Sequence, residues 1–254
     1  MAIEQVGAGG DFRIGDVFSR GWAVLTGNLI FFIGVTLLVY LVTILTVVVV
    51  FGLAYATGQV GSAAFGVALF ISAFAVFFVI IAVNMVGEAA ILYGAFQYLR
   101  GQPVRIGESL RAALSRVFPL LGLTILLGLA VSLGLILLVV PGLILITMWA
   151  VVVPICVVER LGPTASMSRS SMLTKGHRWK IFGIVVLLAL LNGIGSNLVQ
   201  LVLSPAGSVV SLIGGGIATA FLTAYGHCVI IMTYHDLRVA KEGVDTEQIA
   251  SVFD

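Results

Sequence analysis

Residues 163–183 read PTASMSRSSMLTKGHRWKIFG, a basic, partly amphipathic segment that runs directly into a long apolar stretch. Related segments stand at two earlier places. Arg20 lies in FSRGWAVLTGN (18–28), and Arg111 and Arg116 lie in IGESLRAALSRVF (106–118), each ahead of its own apolar run. Between these basic stations the chain is hydrocarbon. From Gly21 to Gly87 there are 67 consecutive positions without Asp, Glu, Lys or Arg; Val117 to Val158 gives 42, and Ile181 to His235 gives 55. One crossing of a bilayer core takes about 20 helical residues, so each run has room for two.

Composition places the chain in the same class. Hydrophobic residues make up 60% of the 254 and charged residues 9%, with a mean hydropathy of +1.20. That leaves too little polar surface to cover a water-soluble globule. The apolar runs are rich in Leu, Val and Ile and lack the alternation of barrel strands, so they read as helices. The start, MAIEQVGAGGDFR, has no basic segment followed by a short apolar core and a cleavage site, so the first helix is expected to stay in place.

The fold expected is an all-α integral membrane protein with six transmembrane helices in three hairpin units, each preceded by an amphipathic interfacial helix. The units cover about 14–100, 101–160 and 161–238, between a flexible tail at 1–13 and a tail at 239–254. The first interfacial helix, Ile14 to Asn28, has Ile14, Val17, Phe18, Trp22 and Leu25 on one side and Asp16, Ser19 and Arg20 on the other. The second, Ile106 to Phe118, sets the stripe Ile106, Leu110, Leu114 and Val117 against Glu108, Arg111 and Ser115. Turns are expected at Thr57-Gly58-Gln59-Val60-Gly61, at Pro141-Gly142 and at Ser204-Pro205-Ala206-Gly207. Pro154 predicts a kink in the short fourth helix. The charged stretch from Asp236 reads as a last surface helix.

All thirteen Lys and Arg fall in the termini and the two long connections, and none in the hairpin turns. The positive-inside rule then puts both termini in the cytoplasm. A weak internal repeat accompanies this layout. A shift of 149 positions matches Ser19, Arg20 and Gly27 with Ser168, Arg169 and Gly176, and a shift of 92 lays Ile14-Gly15-Asp16 on Ile106-Gly107-Glu108.

The segment RSSMLTKGHRWKIFG (169–183) and the closing TYHDLRVAKEGVDTEQIASVFD (233–254) resemble a bacterial family of six-helix inner-membrane proteins. That family is related to the membrane domain attached to some glycerophosphoryl diester phosphodiesterases. The resemblance covers about the last hundred residues in motif and the whole chain in layout. It implies a cytoplasmic-membrane location and a stand-alone membrane domain. In fused relatives hydrolysis belongs to a separate soluble barrel, to which nothing here corresponds, so it carries over no catalytic residue.

Candidate sites are few. No HExxH, Walker loop, GxSxG or paired carboxylates occur, and Cys156 and Cys228 fall in apolar runs outside any CxxC, so no catalytic residue, metal or cofactor is expected. The basic segments serve topology. The sharper reading makes Arg169, Lys175, His177, Arg178 and Lys180, with Trp179, a headgroup site for anionic lipid, joined by Arg111 and Arg116. Glu88 is the one acid in an apolar context and pairs by depth with His227 as an intramembrane candidate. Asn192, Asn197 and Gln200 offer either interhelical hydrogen bonds or a polar path. The function expected is a non-enzymatic protein of lipid or envelope homeostasis, with a transporter or channel for a small amphiphile or ion as the alternative. Membrane lipids are the expected partners, with a second copy or an envelope protein compatible and nucleic acid excluded.

Overall fold

Within a bilayer no water competes for peptide groups, so the uncharged runs must close their own hydrogen bonds and do so as helices. The computed structural model describes residues 12–56 and 63–242, and among these it contains ten α-helices and no strand. Helix α1 (Ile14–Gly27) precedes α2 (Leu29–Ala56) and α3 (Ala63–Leu99). Helix α4 (Ile106–Leu114) precedes α5 (Val117–Leu137) and a divided partner, α6 (Val139–Met148) with α7 (Val152–Val158). Helix α8 (Pro163–Thr174) precedes α9 (Arg178–Leu203) and α10 (Ser208–Glu242), joined through a 3-10 turn at Ser204–Ala206. Six spans are long and apolar enough to cross a membrane: α2, α3, α5, α6 with α7, α9 and α10. The chain is therefore an all-α, multi-pass integral membrane protein. The first expected turn, Thr57 to Gly61, lies outside the described residues.

Burial divides every span in the same way. Phe32 in α2, Leu92 in α3, Leu120 in α5, Ile155 in α7, Ile184 in α9 and Ile231 in α10 are completely buried, and each lies toward the basic end of its helix. Toward the hairpin end, Leu53, Phe70, Ile136, Leu201 and Val209 are exposed, Ile136 by 80%. The protein core thus sits at the basic end, and the hairpin ends turn their side chains outward. Helix length explains part of this. At 1.5 Å per residue the 37 residues of α3 span about 55 Å, well beyond a hydrocarbon core of about 30 Å. The excess is where the chain packs on itself.

Helix α10 is the centre of that core, in contact with α1, α2, α3, α7, α8 and α9. Helix α1 crosses its basic half. At one end Ile14 Cδ1 is close to Gly183 near the start of α9, and at the other Gly27 meets Tyr98 near the end of α3. Both are basic-end positions, so α1 lies across the bundle, as an interfacial helix should. The crossing is tight at Gly21, where a Cβ would sit 2.8 Å from Val229 Cγ2 and 3.2 Å from Val229 backbone atoms. Only glycine permits that approach. Trp22 lies edge-on to Phe221 and Tyr225, and Tyr225 Oη donates to the Phe18 carbonyl at 3.0 Å.

The second hairpin departs from expectation. Its turn is a single extended residue, Leu138 (φ −161°, ψ 139°), and Pro141-Gly142 belongs to the first turns of α6. Proline is tolerated there because the first N–H groups of a helix have no intrahelical acceptor. Gly142 packs directly on Leu135, which brings α6 against α5. The fourth span is broken rather than bent. Pro154 cannot donate to the carbonyl four residues back, and helix is lost at residues 149–151, just ahead of it. Val152 N–H turns to the Trp149 carbonyl at 3.1 Å, which leaves the Met148 carbonyl without its usual partner.

Helix α8 supplies that partner. Ser170 Oγ and Thr174 Oγ1 donate to the Met148 carbonyl at 2.9 and 3.2 Å. Ser166, Ser170 and Thr174, spaced four apart on one face, are all fully buried. The packed side of α8 is thus largely hydroxyl, with Leu173 its one large fully buried apolar residue and Met167 partly buried against the core. In α4 the fully buried residues are likewise small, with Leu110 of the expected stripe partly buried against the core. Ser109 and Ala113 are buried, while Ile106 and Leu114, expected on the packing stripe, are exposed. Two boundaries also shift. Phe12, placed by sequence in the loose tail, is buried in the core, and α10 continues unbroken through Asp236 to Glu242 in place of a separate surface helix.

Candidate functional site

The polar chemistry of the described chain collects at the basic end of α10. Tyr234, Arg238 and Glu242 recur every four residues and so share one face of the helix. Glu159, the residue capping α7, faces them. Its Oε1 accepts from Tyr234 Oη at 2.9 Å and its Oε2 from Arg169 Nε at 3.0 Å. Arg169 also pairs with Glu242, and Arg238 Nε donates to Glu242 Oε2 at 3.1 Å. Two guanidinium groups and two carboxylates therefore form one neutral network joining α7, α8 and α10. Burial alone would push the Arg169 pKa down, but Glu159 and Glu242 outweigh it and hold the group above its ordinary value. A second ion pair, Arg20 with Asp236, ties α1 to α10, and His235 Nδ1 lies 3.3 Å from Asp236 Oδ1.

This network redistributes the expected cations. Arg169 is committed to Glu159 and Glu242. Lys180 Nζ donates to the Phe12 carbonyl at 2.8 Å, and His177 lies edge-on to the Phe12 ring. Both therefore hold the first described residue against α9. Lys175 and Trp179 are exposed, Trp179 by 86%. Arg178 is half-buried, and its Nε is enclosed without an acceptor among the described residues. Arg111 and Arg116 form a separate station at the α4–α5 junction. Among the described residues, none of Lys175, Arg178, Arg111 and Arg116 has a carboxylate within ion-pair distance. Of the cations expected at a headgroup site, these four are left for an outside anion.

The intramembrane candidates fare differently from one another. Glu88 on α3 and His227 on α10 do approach, with Oε1 and Nδ1 3.8 Å apart, beyond hydrogen-bond length. Glu88 lies about 38 Å along the axis from Ala63, which places the pair at the basic edge of the hydrocarbon. Asn192 lies beside Gly226 of α10, but its amide donates to the Leu188 carbonyl of its own helix at 3.1 Å. Asn197 similarly donates to Gly193, and both Asn197 and Gln200 are exposed. The three do not assemble into one polar path.

Sequence reasoning missed the acidic half of the network. Glu159, Asp236 and Glu242 each follow directly on an uncharged run or stand within a turn or two of its end. The four-residue spacing of Tyr234, Arg238 and Glu242 was the available signal. Gln97 was missed as well: it is 4% exposed, its Nε2 donates to Glu108 at 3.1 Å and its Oε1 accepts from Ser109 at 3.3 Å, which locks α4 onto α3.

Compared with protein-family models, with curated proteins and with solved structures, the chain matches none.

Proposed function

We propose that this membrane protein is a non-enzymatic component of the bacterial cytoplasmic membrane, with both termini cytoplasmic, that serves lipid or envelope homeostasis by holding anionic headgroups at its basic end. The kinship with the membrane domain of the phosphodiesterases belongs to the same proposal. Arg178 carries the reading. Its guanidinium is half-buried and, among the described residues, has no carboxylate partner, and a headgroup phosphate is an acceptor of the right charge and geometry. Lys175 stands three residues away and Trp179 is exposed beside it, as at a membrane interface.

Native mass spectrometry of protein extracted gently from its own membrane tests the reading. One stoichiometric anionic lipid is expected, lost in Lys175→Gln/Arg178→Gln. A bare polypeptide, or a broad mixture of lipids unchanged by the substitutions, would reduce the cations to topology signals.

The approach of Glu88 to His227 favours a second reading, a transporter or channel for a small amphiphile or ion. Ionisable groups held together at the edge of the hydrocarbon suit a binding or proton-exchange step. Flux into liposomes is then expected to fall in Glu88→Gln, and equal flux in the variant and the parent would remove this reading.

A further inference from the structure

We infer that a cavity of about 300 Å³ between α3, α7 and α10 is a separate anion site for a phosphate monoester group. Its apolar wall is Tyr93 and Phe96 of α3 with Val157 and Val158 of α7. Its polar wall is Gln97, Arg100 and Gln102 on one side, with Glu159, Arg160 and Arg238 on the other.

The charges of the wall select the ligand. Glu159 is its one carboxylate, and its oxygens already accept from Arg169 and from Tyr234. It has little left to offer a cation. Arg238 is balanced in turn by Glu242. Arg100 and Arg160 are different: among the described residues neither has a carboxylate partner, so the cavity carries two uncompensated positive charges. The Arg100 guanidinium lies over the Phe96 ring, 4.8 Å from its centroid, which fixes the plane of its donor fork. Two guanidinium groups suit the geometry of phosphate, and a phosphate monoester carries a charge of about −1.5 to −2 at neutral pH.

Arg160 supplies an independent argument. It occupies the position after the cap of α7 with φ 55°, the only non-glycine residue with positive φ among the described residues. Helices often end in this conformation, but on glycine, or less often asparagine, because a Cβ is strained there. Arginine at this point gains nothing for the helix end. It does put an arginine on the wall of the cavity.

The protein in a neutral detergent would be titrated calorimetrically with inorganic phosphate and, in a parallel arm, with dihexanoyl phosphatidic acid, using dihexanoyl phosphatidylcholine as the zwitterionic blank. In the Lys175→Gln/Arg178→Gln background, which removes the headgroup site proposed above, saturable binding at one site is expected, weakened tenfold or more by adding Arg100→Gln or Arg160→Gly. Binding in both arms would identify the phosphate itself as the ligand, and binding of the lipid alone would identify a headgroup; each supports the site. Arg160→Gly separates a site from a structural role, since glycine suits the backbone there and its thermal unfolding should not fall. Absence of binding in both arms, or binding indifferent to Arg100→Gln and Arg160→Gly in folded protein, would overturn the inference.

Discussion

The basic half and the hairpin half of this bundle are built from the same helices and held by different means. At the basic end the helices pack on one another around α10, with α1 laid across them and α4 and α8 docked alongside, and ion pairs and hydroxyls join elements far apart in sequence. At the hairpin end Leu53, Phe70, Ile136 and Leu201 face outward, and what covers them in a membrane is acyl chain. The difference follows from the solvent. Lipid is as apolar as a leucine side chain, so burying one against another helix gains little there. Close packing and polar contacts must then supply specificity, and this chain places both at one end.

The largest effect should come from the hub of that end. Glu159→Gln removes the charge that faces Arg169 and Arg238. Breaking a buried ion pair on one side costs about 3–5 kcal/mol, and partial exposure of these side chains reduces that toward the lower figure. Thermal unfolding in detergent is expected to fall sharply, with partial recovery in Glu159→Gln/Arg169→Gln. A melting temperature within a degree of the parent would show that the network does not hold the basic half together.

The hydroxyl face of α8 comes next. Ser170→Ala/Thr174→Ala leaves the part-buried Met148 carbonyl without a side-chain donor, at a cost of about 1–3 kcal/mol. Either single substitution should cost much less, because the other hydroxyl still reaches the same oxygen. A strongly non-additive pair in unfolding measurements is the signature. Simple additivity would mean that the two hydroxyls serve different acceptors.

These contacts mark where sequence reading stops. Uncharged runs of 67, 42 and 55 positions leave only one economical partition into spans, so the six helices and the α1 crossing are legible. The turn at Leu138 is not, because Pro141-Gly142 satisfies the rules of a turn and of a helix start equally well. The α8 face was hidden for a related reason. Arg169, Lys175 and Arg178 dominate the composition of the segment, while Ser166, Ser170 and Thr174 look like surface polarity until the break at residues 149–151 exposes a carbonyl for them. The Glu88–His227 approach was legible from depth alone. The Arg169–Glu159–Arg238–Glu242 network was not, since it depends on how the ends of α7 and α10 pack.

A smaller effect, of opposite sign, is expected at Arg160. Its left-handed conformation costs a non-glycine residue about 1–2 kcal/mol. Part of that is offset by the extra freedom glycine gives the unfolded chain. Arg160→Gly should therefore raise the melting temperature slightly or leave it unchanged. A clear fall would mean that the guanidinium contributes to the fold beyond what its exposed position implies.

The smallest effect belongs to the hairpin half. Phe70→Ala in α3 and Ile136→Ala in α5 remove side chains that are 73% and 80% exposed. Neither substitution opens a cavity within the protein, because acyl chains refill the space. The expected cost is no more than about 0.5 kcal/mol, the usual range for a surface position away from special contacts, although the same truncations in a protein core would cost several times as much. Unfolding in bicelles, where the lipid is present, is the proper comparison with detergent. A loss above about 1 kcal/mol in bicelles would break the contrast between the halves. It would mean that these side chains meet protein rather than lipid, and a second copy of the chain would be the first partner to test, by asking whether the loss depends on protein-to-lipid ratio.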